Sequence, residues 1–185
     1  KIFEADVLKV SDIIAPSSIE VTQSFLKLGE KIARTYFIFS YPRYLSSAWL
    51  SPIVNLDIPM DISFFIHPIE TSMILRKLMK TTTEVQAEIS ERDSKGLVRD
   101  PSLEIAFQDL ETLRDQLQTA QERMFKFGLY LTVYADNEQE LRDMETSLRS
   151  ILESRLVYIK PALYQQKEGF VSTTPYCLDK IQIYT

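Results

Sequence analysis

A chain of 185 residues that is 45% hydrophobic can bury a sizeable core, as one domain or one domain with an appendage. Its formal net charge of −5 opposes the phosphate attraction behind sequence-independent nucleic-acid binding, so no direct contact with DNA or RNA is expected. The single cysteine, Cys177, excludes an internal disulfide and a cysteine-based zinc cluster, and reads as a small part-buried hydrophobe.

The start, Lys1 to Glu4, lacks an initiator Met and a signal-peptide core, and Ile181 to Thr185 ends without a turn, so both ends are expected to be cut from a longer protein. Ile19 to Leu28 alternates apolar and polar residues, and Gly29-Glu30 offers a turn into a second run, which predicts a β-hairpin. That second run, Thr35 to Tyr41, is dense in aromatic and β-branched residues and predicts a central strand covered on both faces. Tyr44, Leu45, Ala48 and Trp49 then recur at helical spacing up to Pro52, which predicts a short helix. Asp61 to His67 predicts a strand closed by Pro68.

From Glu70 to about Arg92 a long helix is expected, with Ile74, Leu78, Val85 and Ile89 on one face. Asp100-Pro101 supplies an N-cap and a first-turn proline for a second long helix. Its Leu103, Ala106, Leu110, Leu113, Leu117, Ala120 and Met124 form a heptad seam, and the two helices are expected to pair as an antiparallel hairpin rather than to supply a dimer seam. Lys126 to Ala135 has the period-two pattern of a strand, with Phe127, Leu129, Leu131, Val133 and Ala135 on one face and Tyr130, Thr132 and Tyr134 on the other. Asp136 with Gln139 suggests a capping box for a helix whose buried stripe is Leu141, Met144, Leu148 and Ile151. Arg155 to Lys160 predicts a strand, and Glu168 to Val171 a last short one.

Without the helical pair, the order from Thr35 is βαββαβ, an α+β, ferredoxin-like antiparallel sheet with an inserted helical hairpin and an N-terminal β-hairpin. The expected organisation is a single domain: residues 1–33 as the β-hairpin segment, 34–68 as the first βαβ half, 69–125 as the helical insertion and 126–185 as the second half with a C-terminal extension.

Catalytic chemistry finds little footing. The four glycines, Gly29, Gly96, Gly128 and Gly169, are too scattered for a phosphate loop or a dinucleotide fingerprint, so no cofactor-binding residue is assigned. His67 is the only histidine, and it reads as structural beside Pro68. No catalytic or metal-binding residue is assigned either, and no run of apolar residues is long enough to span a bilayer. Two places could meet a partner. Arg76, Lys77 and Lys80 form a small basic cluster whose simpler reading is an exposed face relieved by Glu84, four residues beyond Lys80. Tyr130 and Tyr134 point away from the Leu129 face, and either a partner covers their rings or they pack beneath the N-terminal β-hairpin.

The blocks Ile19–Ile69, Leu129–Leu152 and Gln165–Ile181 resemble, in combined order, the amino-terminal domain of conjugative type IV secretion ATPases of the VirB-four type. The resemblance runs from about Asp12 to Thr185. It rests on Arg34-Thr35-Tyr36 leading to Tyr41-Pro42, on the Asp61-Ile62-Ser63 strand, and on Gly169-Phe170 with Pro175. It implies a non-catalytic docking domain on the cytoplasmic face of the inner membrane. Its implied partners are protein components of the secretion channel, the parent's own C-terminal ATPase domain and a homo-oligomer of the parent. ATP and Mg²⁺ would bind in a downstream P-loop domain beyond Thr185. The alternative is a self-contained ferredoxin-like module that binds a small ligand or forms a homo-oligomer, unrelated to secretion.

Overall fold

Period-two patterning and helical stripes become a mixed α+β structure in the computed structural model, which describes residues 16–183. Expectations about Lys1 to Glu4, the Asp12 start of the resemblance and the terminal Tyr184 and Thr185 lie outside these residues. The strands are β1 (Ile19–Val21), β2 (Leu26–Leu28), β3 (Lys31–Ser40), β4 (Met60–Pro68), β5 (Phe125–Ala135) and β6 (Tyr158–Pro161). The helices are α1 (Ser51–Val54), α2 (Thr71–Ser94), α3 (Pro101–Gln118), α4 (Glu138–Glu153) and α5 (Gln166–Thr173). Two compact units result: one from residues 16–65 and 127–183, the other the continuous segment Ile66–Lys126.

In the first unit the sheet order is β1-β2-β3-β5-β4, with β6 also paired to β3. The β1–β2, β2–β3, β3–β5 and β3–β6 pairings are all antiparallel. One edge of β3 is shared between two partners: β2 takes Lys31 to Ala33, and β6 takes Tyr36 to Ser40. The even-numbered side chains Ile32, Tyr36 and Ile38 of β3 and the odd-numbered Leu129, Leu131 and Val133 of β5 are buried in one core with Leu141, Leu148 and Leu152 of α4. Each such leucine contributes roughly 1.5–3 kcal/mol by leaving water. Met144 and Ile151 complete the helical stripe as half-buried neighbours.

The opposite face of β3 is covered as well. Thr35 and Thr132 share a buried hydrogen bond of 2.7 Å, and Thr132 shares another of 2.7 Å with Thr173 of α5. Gly169 brings α5 this close: a Cβ there would stand 2.8 Å from the Thr35 Cβ. The Glu168–Val171 stretch is accordingly helical and not the expected strand, because it lies across β3 rather than beside it.

Four other elements differ from expectation. Ile19–Leu28 is broken into β1 and β2 by a turn in which the Thr22 hydroxyl accepts from the Ser24 and Phe25 amides. The segment around Tyr44 to Trp49 is not helical; α1 begins at Ser51 and carries Pro52 in its first turn, where proline's missing N–H costs nothing. The cap of α4 is Asn137, accepting from Glu140, while the Glu140 carboxylate accepts from the Asp136 amide, so the capping box sits one residue later than Asp136 and Gln139. The second long helix stops at Gln118, and Ala120 adopts a left-handed conformation, so Ala120 and Met124 fall outside the seam. Asp100 does cap α3, accepting from the Ser102 amide at 3.0 Å.

In the second unit α2 and α3 pack against each other. Leu78 and Thr82 of α2 and Leu117 of α3 are its buried helical residues.

Candidate docking surfaces

The first unit carries a chain of aromatic rings that ends at the surface. Pro42 stops β3, and the turn after it places Trp49 edge-on to Tyr41, with centroids 6.0 Å apart. Tyr41 lies 5.6 Å from Phe127 of β5, and Phe127 lies 6.0 Å from Phe64 of β4. Arg155 donates to the Trp49 carbonyl at 2.7 Å and pins the turn. Tyr41, Trp49 and Phe127 are half-buried against the core, whereas Phe64 is 49% exposed and Tyr44, beside the run, is 79% exposed. The sequence reading missed this run. Its signal was the Phe64-Phe65 pair, which in a strand must put one ring on each face.

Of the two tyrosines singled out from sequence, Tyr130 is not a surface residue. It is fully buried, its ring packs 5.6 Å from Phe65, and its hydroxyl donates to Asp179 at 2.9 Å while accepting from the Ile183 amide at 3.1 Å. The segment after α5, not a partner and not the β-hairpin, covers it. Tyr134 is half-buried and donates to the Asp61 carboxylate. Burial, reinforced by that hydrogen bond and the Asp61 charge, pushes its phenol well above the ordinary tyrosine value.

A polar knot ties β3 to α4. The Glu145 carboxylate accepts from Arg34 at 2.9 Å, Tyr36 at 3.0 Å and Arg149 at 2.8 Å, and Arg34 also donates to the Ser24 carbonyl at 2.7 Å. Burial alone would push the Glu145 carboxyl up; the hydrogen bonds from Arg149, Tyr36 and Arg34 outweigh it and hold the group below the usual glutamate range. Every strong donor here is already engaged within the chain, so the knot reads as structural.

In the second unit Arg76, Lys77 and Lys80 are all exposed on α2. Lys80 stands 3.8 Å from Glu84, and Arg76 donates to the Ser72 carbonyl at 3.3 Å. A groove of about 380 Å³ runs between the two helices, lined by Met79, Thr83, Gln86, Ala87, Ser90 and Phe107 among others.

His67 and Cys177 are exposed, so the part-buried setting expected for Cys177 does not hold; it sits in a left-handed turn after Pro175. Among the described residues no group of three or more His, Cys, Asp or Glu side chains is placed to hold a metal ion, and no helix is long and apolar enough to cross a membrane. No protein-family model and no curated protein matches the chain.

Proposed function

We propose that the chain is a non-catalytic docking domain of a conjugative type IV secretion ATPase, built as a ferredoxin-like βαββαβ sheet with an inserted antiparallel helical hairpin. The fold part of this reading is supported by the order β6-β3-β5-β4, with α1 between β3 and β4 and α4 between β5 and β6. The observation that carries the docking part is the run Trp49, Tyr41, Phe127 and Phe64, which leads from the core to a half-exposed ring. Interfaces concentrate aromatic side chains at their centre, where large rigid rings lose little conformational entropy. In this reading the partners are protein components of the secretion channel, contacted at the cytoplasmic face of the membrane. ATP and Mg²⁺ belong to a downstream P-loop domain of the parent.

The test is co-purification of the full-length parent with its membrane complex. Phe64→Ala and Tyr44→Ala variants are expected to keep their melting temperature to within a few degrees, and to keep ATP hydrolysis, while recruitment falls. Folded variants recruited like the wild type remove this surface from the reading. Calorimetry of the present chain with ATP is expected to give no saturable heat, and micromolar binding defeats the assignment of nucleotide chemistry to another domain.

A further inference from the structure

The charges on α2 run against its own dipole. Its first half, Thr71 to Thr83, holds Arg76, Lys77 and Lys80 and no acid; its second half holds Glu84, Glu88, Glu91 and Asp93 against the single base Arg92. A helix prefers anions near its N-terminus and cations near its C-terminus, so this order disfavours α2 as a lone helix. Laid antiparallel on a copy of itself, the same helix brings each basic half against an acidic half.

Side-chain size follows the same division. Leu78 and Thr82 are buried in the unit, and outside them the exposed residues Met73, Arg76, Lys80, Thr83, Ala87, Ser90 and Ser94 of α2 recur at alternating spacings of three and four, with Thr83, Ala87 and Ser90 also forming the α2 wall of the groove shared with Phe107 of α3. The large side chains of this stripe and of the adjoining Met79, itself 65% exposed, lie in the first half, and small ones fill the second. The Thr83 and Ser90 hydroxyls donate back to the Met79 and Gln86 carbonyls, each at 2.9 Å, and Ser94 donates to the Glu91 carbonyl at 2.8 Å. The face therefore offers mostly carbon between its charges. The existing pairs Lys80–Glu84, within α2, and Lys95–Glu91, at its C-terminal cap, are largely exposed, so exchanging them for partners across an interface costs little.

We propose that two copies of this chain associate through α2, antiparallel, about a two-fold axis between Thr83 and Glu84. That axis sets Arg76 opposite Glu91, Lys80 opposite Ala87 with Glu88 beside it, and Met73 opposite Ser94. Such a contact is self-complementary in charge and in size, as an isologous interface must be. It involves only the second unit and is independent of the aromatic surface assigned to docking in the first.

Sedimentation equilibrium of the Cys177→Ser chain tests it. The expected result is a reversible dimer that weakens with salt. Arg76→Glu and Glu91→Arg should each raise the dissociation constant about tenfold or more, because each reversal acts twice across the axis. The double variant Arg76→Glu/Glu91→Arg should recover the dimer, and an equimolar mixture of the two single variants should form a heterodimer. Thr83→Cys in the same background should give a disulfide-linked dimer. Circular dichroism melts establish that each variant is folded. A chain that stays monomeric and whose Thr83→Cys variant forms no cross-link, or a dimer indifferent to both reversals, overturns the proposal; binding of a helix from another protein to this face, without self-association, also overturns it.

Discussion

The side-chain amide of Gln166 takes the place of a strand residue beside Thr35. Its Oε1 accepts from the Thr35 amide at 2.8 Å, and its Nε2 donates to the Thr35 carbonyl at 3.4 Å and the Ala162 carbonyl at 3.0 Å. Thr35 lies in the gap between the part of β3 paired with β2 and the part paired with β6, where an unmet backbone group would be buried. Gln166→Ala should cost about 2–4 kcal/mol, since it orphans a buried donor and weakens two acceptors. Gln166→Glu should not rescue, because a carboxylate cannot donate to the Ala162 carbonyl. Urea midpoints measure both, and an Ala variant as stable as the wild type removes this role.

Gly169→Ala sets two effects against each other. Alanine is the better helix former by about 1 kcal/mol, but its methyl would meet the Thr35 Cβ and Cγ2 at 2.8 Å on a buried strand. Overpacking of this kind costs roughly 1–3 kcal/mol, so the net change should be destabilising. A raised melting temperature for Gly169→Ala would show that α5 can lift away from β3 without loss.

Stability should fall in acid through Glu145. Its pKa in the folded chain is held below the value it has when unfolded, so its contribution is fully present above the ordinary glutamate value of about 4.3 and is lost as pH falls through the lower folded value. Glu145→Gln leaves Arg34 and Arg149 without their shared carboxylate and should destabilise by about 1–3 kcal/mol at neutral pH, part exposure keeping the cost modest. The same variant should flatten the acid limb of a melting-temperature profile. An unchanged limb in Glu145→Gln assigns acid sensitivity to other groups.

Leu117 is 3% exposed in the second unit, and its neighbour Gln118 is exposed. Leu117→Asp buries a carboxylate with no partner and should destabilise by several kcal/mol, on the order of 3–5, while Gln118→Asp should change little. Equal tolerance at the two positions, read by thermal melts, would mean that α3 does not present the Leu117 side to α2.

Where pattern and environment agreed, the sequence was legible. β3 and β5 follow from aromatic and alternating runs, and Asp100-Pro101 marks the start of α3 by chemistry local to the chain. Gln166–Thr173 was unreadable because Gly-Phe-Val suits a strand, and what makes it helical is a contact with Thr35, more than a hundred positions earlier in the chain. Tyr130 failed for a related reason. Alternation gives the face on which a ring lies, but not whether that face is covered, and the cover comes from Asp179 and Ile183 in a segment with no periodic signal. The aromatic run escaped because its four rings come from two loop positions and two strands, which only pairing brings together.

The bond between the Ile69 amide and the Met124 carbonyl, 3.1 Å long, closes the second unit on itself at the two points where the chain enters and leaves it. The β3–β5 ladder joins Ile32 with Ala135 and Phe37 with Tyr130, pairings that an unfolded chain reaches only by closing a very long loop. Helix pairing within Ile66–Lys126 is local and fast by comparison. Once formed, it shortens the path between the ends of β4 and β5 to a few bonds and turns a distant encounter into a near one. A substitution that loosens the helical unit, such as Leu117→Asp, should therefore slow formation of the sheet even where the sheet's own residues are untouched. Stopped-flow refolding followed at Trp49 reads this directly, and an unchanged rate would place sheet formation ahead of the helices.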